Sequence, residues 1–304
     1  MLWVSSGRWD YLVGLEERIE SAWRVREANF APRVAFDYPL STATISLTGP
    51  HCALNCAHCG GEYLKSMMPI WSAQVQGATS CLISGGCDPW GKVPVTRGLE
   101  KMKALRNGRV MNWHVGLIER AEAEAIAPCV DVISFDFVGD DETIQEVYGL
   151  ERRVEDYVKT YDLLRGYFPL IPHITIGLRG GEIVGEYQAL EILEGLGVEG
   201  LILIVFTPTP GTRYADRDPP ELEAVIDIMA EARLRFPAVP LYLGCMRPRG
   251  EYRHLLDRWA LRAGVNGIVS PASEAVVLAG ELGLEIVRRE ECCAVGWVRE
   301  ERYG

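Results

Sequence analysis

The stretch HCALNCAHC, residues 51–59, directly follows a short apolar run at residues 43–47. Its cysteines, Cys52, Cys56 and Cys59, occupy relative positions 0, 4 and 7. Thiolates at this spacing can wrap one loop around three corners of a cubane and leave the fourth iron without a protein ligand. We therefore predict a 4Fe–4S cluster on these three cysteines, with an open iron where an external molecule can chelate.

A zinc site or a redox pair is the alternative interpretation of the same stretch. The Cys-x-x-Cys pair formed by Cys56 and Cys59, together with His51 and His58, also offers tetrahedral ligands. Structural zinc favours a closed set of four ligands, whereas this loop offers three cysteines in one arc. The cluster is the favoured interpretation.

Short apolar runs, separated by segments long enough for a helix, recur along the rest of the chain. Strand alternating with helix some eight times predicts parallel strands joined by helical crossovers. The fold class is therefore expected to be α/β, with a (β/α)8 TIM-type barrel, complete or nearly complete; a doubly wound sheet is the competing arrangement. The runs are residues 43–47, 81–84, 110–115, 130–137, 173–178, 201–206, 241–244 and 267–269. The loops after these strands should carry the chemistry.

The two ends of the chain lie outside this pattern. Residues 9–30 have helical spacing of Leu12, Leu15, Ile19, Ala22, Trp23 and Arg26 and predict an N-terminal helix. We divide the chain into an N-terminal helical extension (residues 1–40), a barrel (41–275) and a C-terminal extension (276–304).

Composition excludes several classes of partner. A net charge of −11 over 304 residues opposes binding to nucleic acid or to an anionic membrane surface. No run of eighteen apolar residues occurs, and acidic residues stand where a signal peptide needs apolar ones, so we expect a cytoplasmic protein. Nine cysteines in a reducing compartment indicate metal ligation or buried thiols rather than disulfides.

The three-cysteine loop after the first strand resembles the signature of the radical S-adenosylmethionine superfamily. The resemblance implies that the open iron binds the amino and carboxylate groups of S-adenosylmethionine. One electron from the cluster then cleaves the sulfonium to a 5′-deoxyadenosyl radical. Because the cofactor carries this chemistry, no catalytic side chain is nominated, and the residues to find are ligands and shields.

Several other segments resemble cosubstrate-binding parts of the superfamily. Ser84-Gly85-Gly86 matches the glycine motif that holds the methionyl amino group, although Cys87 stands where an acidic residue is usual. His58 replaces the usual aromatic before the third cysteine and is expected to pack on adenine or to donate a hydrogen bond. Ile183 is expected to contact the adenine, and Thr207 belongs to a Pro-rich segment, residues 206–212, that shapes a dry pocket.

Two charged residues have an ordinary alternative beside their functional assignment. Arg179 is expected to pair with the methionyl carboxylate, and a surface ion pair with a nearby acid is the alternative. Asp136 is expected to accept hydrogen bonds from ribose hydroxyls, and a helix cap is the alternative.

Six cysteines remain after the cluster takes three. Cys81 and Cys129 lie in apolar contexts and are expected in the core. Cys245, Cys292 and Cys293 offer ligands for a second 4Fe–4S cluster, which would supply sulfur for insertion into a carbon–hydrogen bond. Ordinary reduced thiols are the alternative.

The most similar branch is that of the biotin-synthase-related proteins that form one half of a two-protein lipoyl synthase. Ser46-Leu47-Thr48-Gly49 before the cysteine loop, residues 83–87 and Gly244-Cys245-Met246-Arg247-Pro248 carry this resemblance. It implies sulfur insertion into an octanoyl chain on a lipoyl carrier protein or peptide. It also implies a second radical S-adenosylmethionine protein as partner and a reductant such as ferredoxin.

Two other functions remain open. One is a carbon-skeleton or cofactor-maturation enzyme related to biotin synthase, of the methylornithine synthase or hydrogenase maturase type. The other, from a different class, is a non-catalytic iron–sulfur or zinc binding module.

Overall fold

The protein is described from a computed structural model, which gives the backbone of residues 6–303 and the side chains of residues 14–299. Within these residues the helices are α1 (Ser6–Asn29), α2 (Leu99–Arg106), α3 (Arg120–Ile126), α4 (Asp141–Thr143), α5 (Val154–Arg165), α6 (Glu186–Leu196), α7 (Leu222–Arg235), α8 (Glu251–Arg262), α9 (Ser273–Glu281) and α10 (Cys293–Tyr303). The strands are β1 (Arg33–Asp37), β2 (Thr42–Ser46), β3 (Met68–Pro69), β4 (Ser80–Ser84), β5 (Val110–His114), β6 (Val132–Asp136), β7 (Leu170–Ile176), β8 (Leu201–Val205), β9 (Leu241–Leu243), β10 (Gly267–Val269) and β11 (Glu285–Arg289).

The strands form one parallel sheet of half-barrel type in an α/β fold. Their order is β11-β1-β10-β9-β8-β7-β6-β5-β4-β2-β3. All eight predicted runs are strands of this sheet, and helices follow most of them. The eleven-strand count differs from the expected (β/α)8 arrangement, because three short strands extend the sheet at its two ends.

Strand β1 is not predicted from the sequence, because residues 1–40 are expected to form a helical extension. Helix α1 is present as predicted, with Leu15, Ile19 and Ala22 buried; the side chain of Leu12 lies outside the described residues. However, Arg33–Asp37 then joins the sheet between β10 and β11. Its five residues stand between Pro32 and Pro39, which favour a break, and so they gave no clear strand signal.

A short segment of the chain connects strands near the two opposite ends of the sheet. Residues 38–41 join β1, which pairs with β10, to β2, which pairs with β4. The C-terminal segment lies against this connection, since Ser41 N donates to Glu290 O at 2.8 Å and Cys292 N donates to Thr42 Oγ1 at 3.0 Å.

Helix α10 packs against the inward face of the sheet rather than against its outer face. Trp297 and Val298 are buried among inward-facing residues of the strands, and Trp297 Nε1 donates to Glu199 O at 3.3 Å. The strand residues in this cluster include Val132, Ile171, Ile202 and Tyr242. The C-terminal extension therefore closes one end of the space that the sheet encloses. Among the described residues, no helix is both long enough and apolar enough to cross a membrane.

Candidate cluster and cosubstrate site

A cavity of about 440 Å³ lies on the concave face of the sheet. Strand residues two apart line it, such as Asn112 and His114 on β5 and Ser134 and Asp136 on β6, because alternate side chains of a strand point to the same face. Seven of the nine cysteines line it as well: Cys52, Cys56, Cys59, Cys87, Cys245, Cys292 and Cys293. Cys81 and Cys129 are buried in the core, as expected.

Backbone hydrogen bonds to two other segments fix the cysteine loop, residues 51–59, at Ala57. Ala57 N donates to Val147 O at 2.7 Å, and Tyr214 N donates to Ala57 O at 3.0 Å. Val147 belongs to a π-helical turn, Ile144–Tyr148, a backbone form that is common at functional sites. The loop position is therefore fixed by the segments after β6 and β8, far away in sequence.

Gly86 lies in close contact with the backbone of the same loop. Thr48 Oγ1 accepts a hydrogen bond from Gly86 N at 2.7 Å. A Cβ atom at Gly86 would lie 2.0 Å from His51 O and 2.5 Å from the Cα atom of Cys52, both backbone atoms. The glycine is therefore required by the close approach of the cysteine loop, whatever else its backbone binds.

Two thiols of the loop, those of Cys56 and Cys59, hold their protons more tightly than a free cysteine does. Burial, followed by the neighbouring Cys59 and Cys52 sulfurs, raises the pKa of Cys56 to about 12, and burial also raises the pKa of Cys59. A metal cluster would replace these protons, which relieves the repulsion among three thiolates.

His58 has a buried ring nitrogen that no described protein atom satisfies. Its Nδ1 atom is buried without a hydrogen-bond partner, and burial lowers its pKa to about 4, so the ring is neutral near pH 7. Its ring meets the Tyr148 ring edge-on, with centroids 5.6 Å apart. Buried polar atoms are rarely left unpaired, so this nitrogen fits a site that holds a further group beside His58. In the described part of the chain, no three His, Cys, Asp or Glu side chains are arranged to hold a single metal ion.

Asp136 faces the cavity beside two histidines. Its Oδ2 lies 3.6 Å from His114 Nδ1, and the rings of His114 and His173 are 5.4 Å apart. The Asp136 side chain is about half exposed to the cavity, and its desolvation is outweighed by His114, His173 and His58 together, which hold its pKa below the usual range. The helix-cap alternative does not apply, since α4 is capped by Asp140, whose Oδ2 accepts from Thr143 N at 2.7 Å.

Arg179 lies outside the cavity. It donates to Glu146 at 2.6 Å and to Glu142 at 3.0 Å, which is the surface ion pair that the sequence left open. Turns at Gly177 and Gly180, both with positive φ, direct this segment towards α4. Ile183 is also absent from the cavity lining and packs against the core. The structure therefore places Arg179 and Ile183 outside the cavity that the other nominated residues line.

The other nominated residues share the cavity. They are His58, Ser84, Gly85, Gly86, Asp136, Thr207 and the six nominated cysteines. Cys87, Asn112, His114, Tyr148, Tyr157 and His173 also line it and were not nominated. The inward alternation on β5 and β7 was the available signal for the two histidines, whereas nothing local in the sequence identifies Tyr148.

Cys292 is held by a chain of polar contacts. Ser134 Oγ donates to Asn112 Oδ1 at 2.9 Å, and Asn112 Nδ2 donates to Cys292 Sγ at 3.6 Å. Burial raises the pKa of Cys292 to about 11. Cys292, Cys293 and Cys245 enter the same cavity from the C-terminal segment and from the loop after β9.

No protein-family model matches the chain, and no curated protein matches it. Solved structures do. Methylornithine synthase (PylB) superposes with a TM-score of 0.65 at 16% identity, over 90% of this chain and 90% of the other. The FeFe-hydrogenase maturase HydG from Carboxydothermus hydrogenoformans gives 0.65 at 13% identity, over 95% and 79%. HMG-CoA lyase from Brucella melitensis gives 0.50 at 15% identity, over 89% and 96%. At these identities the likeness establishes a shared fold.

Proposed function

We propose that this protein is a radical S-adenosylmethionine enzyme. The observation that carries the proposal is the cavity lined jointly by the three thiols of the cysteine loop, the Ser84-Gly85-Gly86 segment and Asp136. Cys52, Cys56 and Cys59 would hold a 4Fe–4S cluster, and His58, whose buried Nδ1 has no hydrogen-bond partner, lines the same cavity. When bound, the cluster and S-adenosylmethionine would supply hydrogen-atom abstraction from an unactivated carbon.

The chain's own residues orient the cosubstrate and exclude water. Gly85 and Gly86 line the cavity beside the cysteine loop, where a methionyl group would bind, and the Asp136 carboxylate accepts hydrogen bonds from hydroxyls. Leu54, Met67 and Phe206 are among the apolar side chains that line the cavity. Because α10 closes one end of the enclosed space, it would limit the access of solvent to the cavity.

For the substrate, we propose an octanoyl chain on a lipoyl carrier protein or peptide, into which sulfur is inserted. A second 4Fe–4S cluster on Cys245, Cys292 and Cys293 would provide the sulfur, and a second radical enzyme and ferredoxin would be its partners. The shared cavity of these three cysteines with the cysteine loop supports this reading. So does the apolar lining, which suits a hydrocarbon chain.

The second candidate is a carbon-skeleton or cofactor-maturation enzyme, which the folds of PylB and HydG favour. A free amino acid such as methylornithine carries a carboxylate, which is usually bound by arginine or lysine. In the described cavity the lining contains Asp136 and no arginine or lysine. The charge of this cavity therefore favours the uncharged chain.

Product analysis tests the radical chemistry. The protein, reconstituted with iron and sulfide without oxygen, is mixed with dithionite and S-adenosylmethionine. We expect 5′-deoxyadenosine from the wild type and from a Cys129→Ala control, whose thiol lies in the core, and none from Cys56→Ala. If the wild type yields no 5′-deoxyadenosine, the protein is a binding module.

Iron content separates the two candidates. A sulfur-inserting enzyme should bind about eight irons, and the triple variant of Cys245, Cys292 and Cys293 to Ala should bind about four. If the wild type binds about four irons and the triple variant is unchanged, the sulfur-donor proposal is wrong while radical chemistry stands.

A further inference from the structure

Cys87 lines the cavity with the cysteine loop but has no assigned role. Its carbonyl oxygen accepts a hydrogen bond from Ala53 N at 2.9 Å and lies 3.8 Å from Cys52 Sγ. The neighbouring Gly86 touches the backbone of the loop, as described above. Cys87 is therefore attached directly to the segment that carries the three predicted cluster ligands.

The turn after Cys87 keeps this cysteine in place. Asp88 Oδ1 accepts from Trp90 N at 2.9 Å and from Lys92 N at 3.0 Å, and Asp88 N donates to Lys92 O at 2.8 Å. Thr48 holds the preceding residue through Gly86 N. A ligand on a rigid backbone loses little freedom when it binds.

The other unassigned cysteines differ in environment. Cys81 and Cys129 are fully buried among apolar side chains, where a thiol serves as a small hydrophobic group. Cys87 instead lines the cavity together with Cys52 and Cys56. Four cysteines therefore line the same cavity, and three of them lie on the cysteine loop.

We propose that Cys87 Sγ is a displaceable fourth ligand for the cluster on Cys52, Cys56 and Cys59 when S-adenosylmethionine is absent. This inference rests on the proposed function. The Cys87 thiol gives up its proton to solvent when it binds iron and takes one back when the amino and carboxylate groups of S-adenosylmethionine replace it. No electron is transferred in either step. The thiol would protect the exposed iron until the cosubstrate arrives.

Loss of the fourth iron is the readout that tests the proposal. A cluster with three thiolates loses its open iron on mild oxidation and becomes a 3Fe–4S cluster, which electron paramagnetic resonance detects. Without S-adenosylmethionine, we expect Cys87→Ala to form this species roughly tenfold faster than the wild type, the scale on which local metal-site changes act. Cys129→Ala should match the wild type. With S-adenosylmethionine, all three should react at the same rate.

Equal rates for Cys87→Ala and the wild type without S-adenosylmethionine would overturn the proposal. Cys87→Ser keeps the size of the side chain, so it serves if the alanine variant does not fold, as judged by circular dichroism. Its reduced cluster should give an altered resonance line shape before the cosubstrate is added, and an unchanged line shape counts against Cys87. If S-adenosylmethionine alters no spectrum of the wild type, the proposed function itself has failed.

Discussion

The Arg247 guanidinium donates two hydrogen bonds to the Asp257 carboxylate, at 2.6 and 2.9 Å, and both side chains are fully buried. Arg247 also donates to Gly244 O at 2.7 Å and to Val269 O at 2.8 Å. The pair therefore joins the loop that carries Cys245 to β10 and to α8. This explains why an arginine stands two residues after a cavity-lining cysteine without entering the cavity.

Removing the carboxylate from this pair should destabilise the fold. Asp257→Ala leaves the Arg247 charge buried and uncompensated, which costs about 3–5 kcal/mol of unfolding free energy. Urea unfolding measures it. Glu274→Ala, which breaks the exposed ion pair with His254, is the matched control and should leave the free energy of unfolding nearly unchanged. Equal effects of the two variants would show that Arg247 is not buried as described.

A methyl group at Gly86 should weaken cluster binding. Gly86→Ala places its Cβ atom against backbone atoms of His51 and Cys52, so the cysteine loop must shift. We expect iron content after reconstitution to fall by at least half, an order-of-magnitude expectation from local metal-site changes. Gly195→Ala is the control, because its Cβ would meet nothing within 4 Å and alanine favours the helix. Full iron content in Gly86→Ala would contradict the close approach.

The cysteine loop and the eight strands were accessible from sequence, since ligand spacing and apolar runs are local patterns. Strand β1 was not, because two prolines enclose it and its pairing partners lie more than two hundred residues away. Arg179 shows the other limit. Its sequence context fitted a carboxylate ligand, but only the tertiary position of Glu142 and Glu146 shows where the charge is satisfied. Only the folded structure shows that His114, His173 and Cys87 line the same cavity.

Asn112 should act as a positioning residue for Cys292. Replacing it with alanine removes the Nδ2 donor to Cys292 Sγ and leaves Ser134 without its acceptor. We expect Asn112→Ala to lose iron from the proposed second cluster, with affinity lowered roughly tenfold or more, while the proposed cluster on the cysteine loop is retained. Iron analysis with Mössbauer spectroscopy separates the two, and Asn29→Ala on the surface of α1 is the control. If Asn112→Ala keeps all the iron of the proposed second cluster, Cys292 is not one of its ligands.

His173 should make stability depend on pH in the acid range. Burial, followed by the nearby His114, lowers its pKa from 6.5 to about 4. The unfolded chain therefore takes up a proton near pH 6.5 that the folded protein refuses until about pH 4, so stability falls as the pH drops through this window. The shift corresponds to roughly 3 kcal/mol. Urea unfolding at several pH values should show a smaller loss for His173→Gln than for the wild type, and identical slopes would contradict the burial of this ring.

The most direct test of the central claim is Mössbauer spectroscopy of the protein reconstituted with ⁵⁷Fe without oxygen, before and after addition of S-adenosylmethionine. We predict a cubane signal in which one iron site changes when the cosubstrate binds, and its absence in Cys56→Ala. A mononuclear ion bound by four side chains, or a cubane whose four sites do not respond to S-adenosylmethionine, would contradict the account.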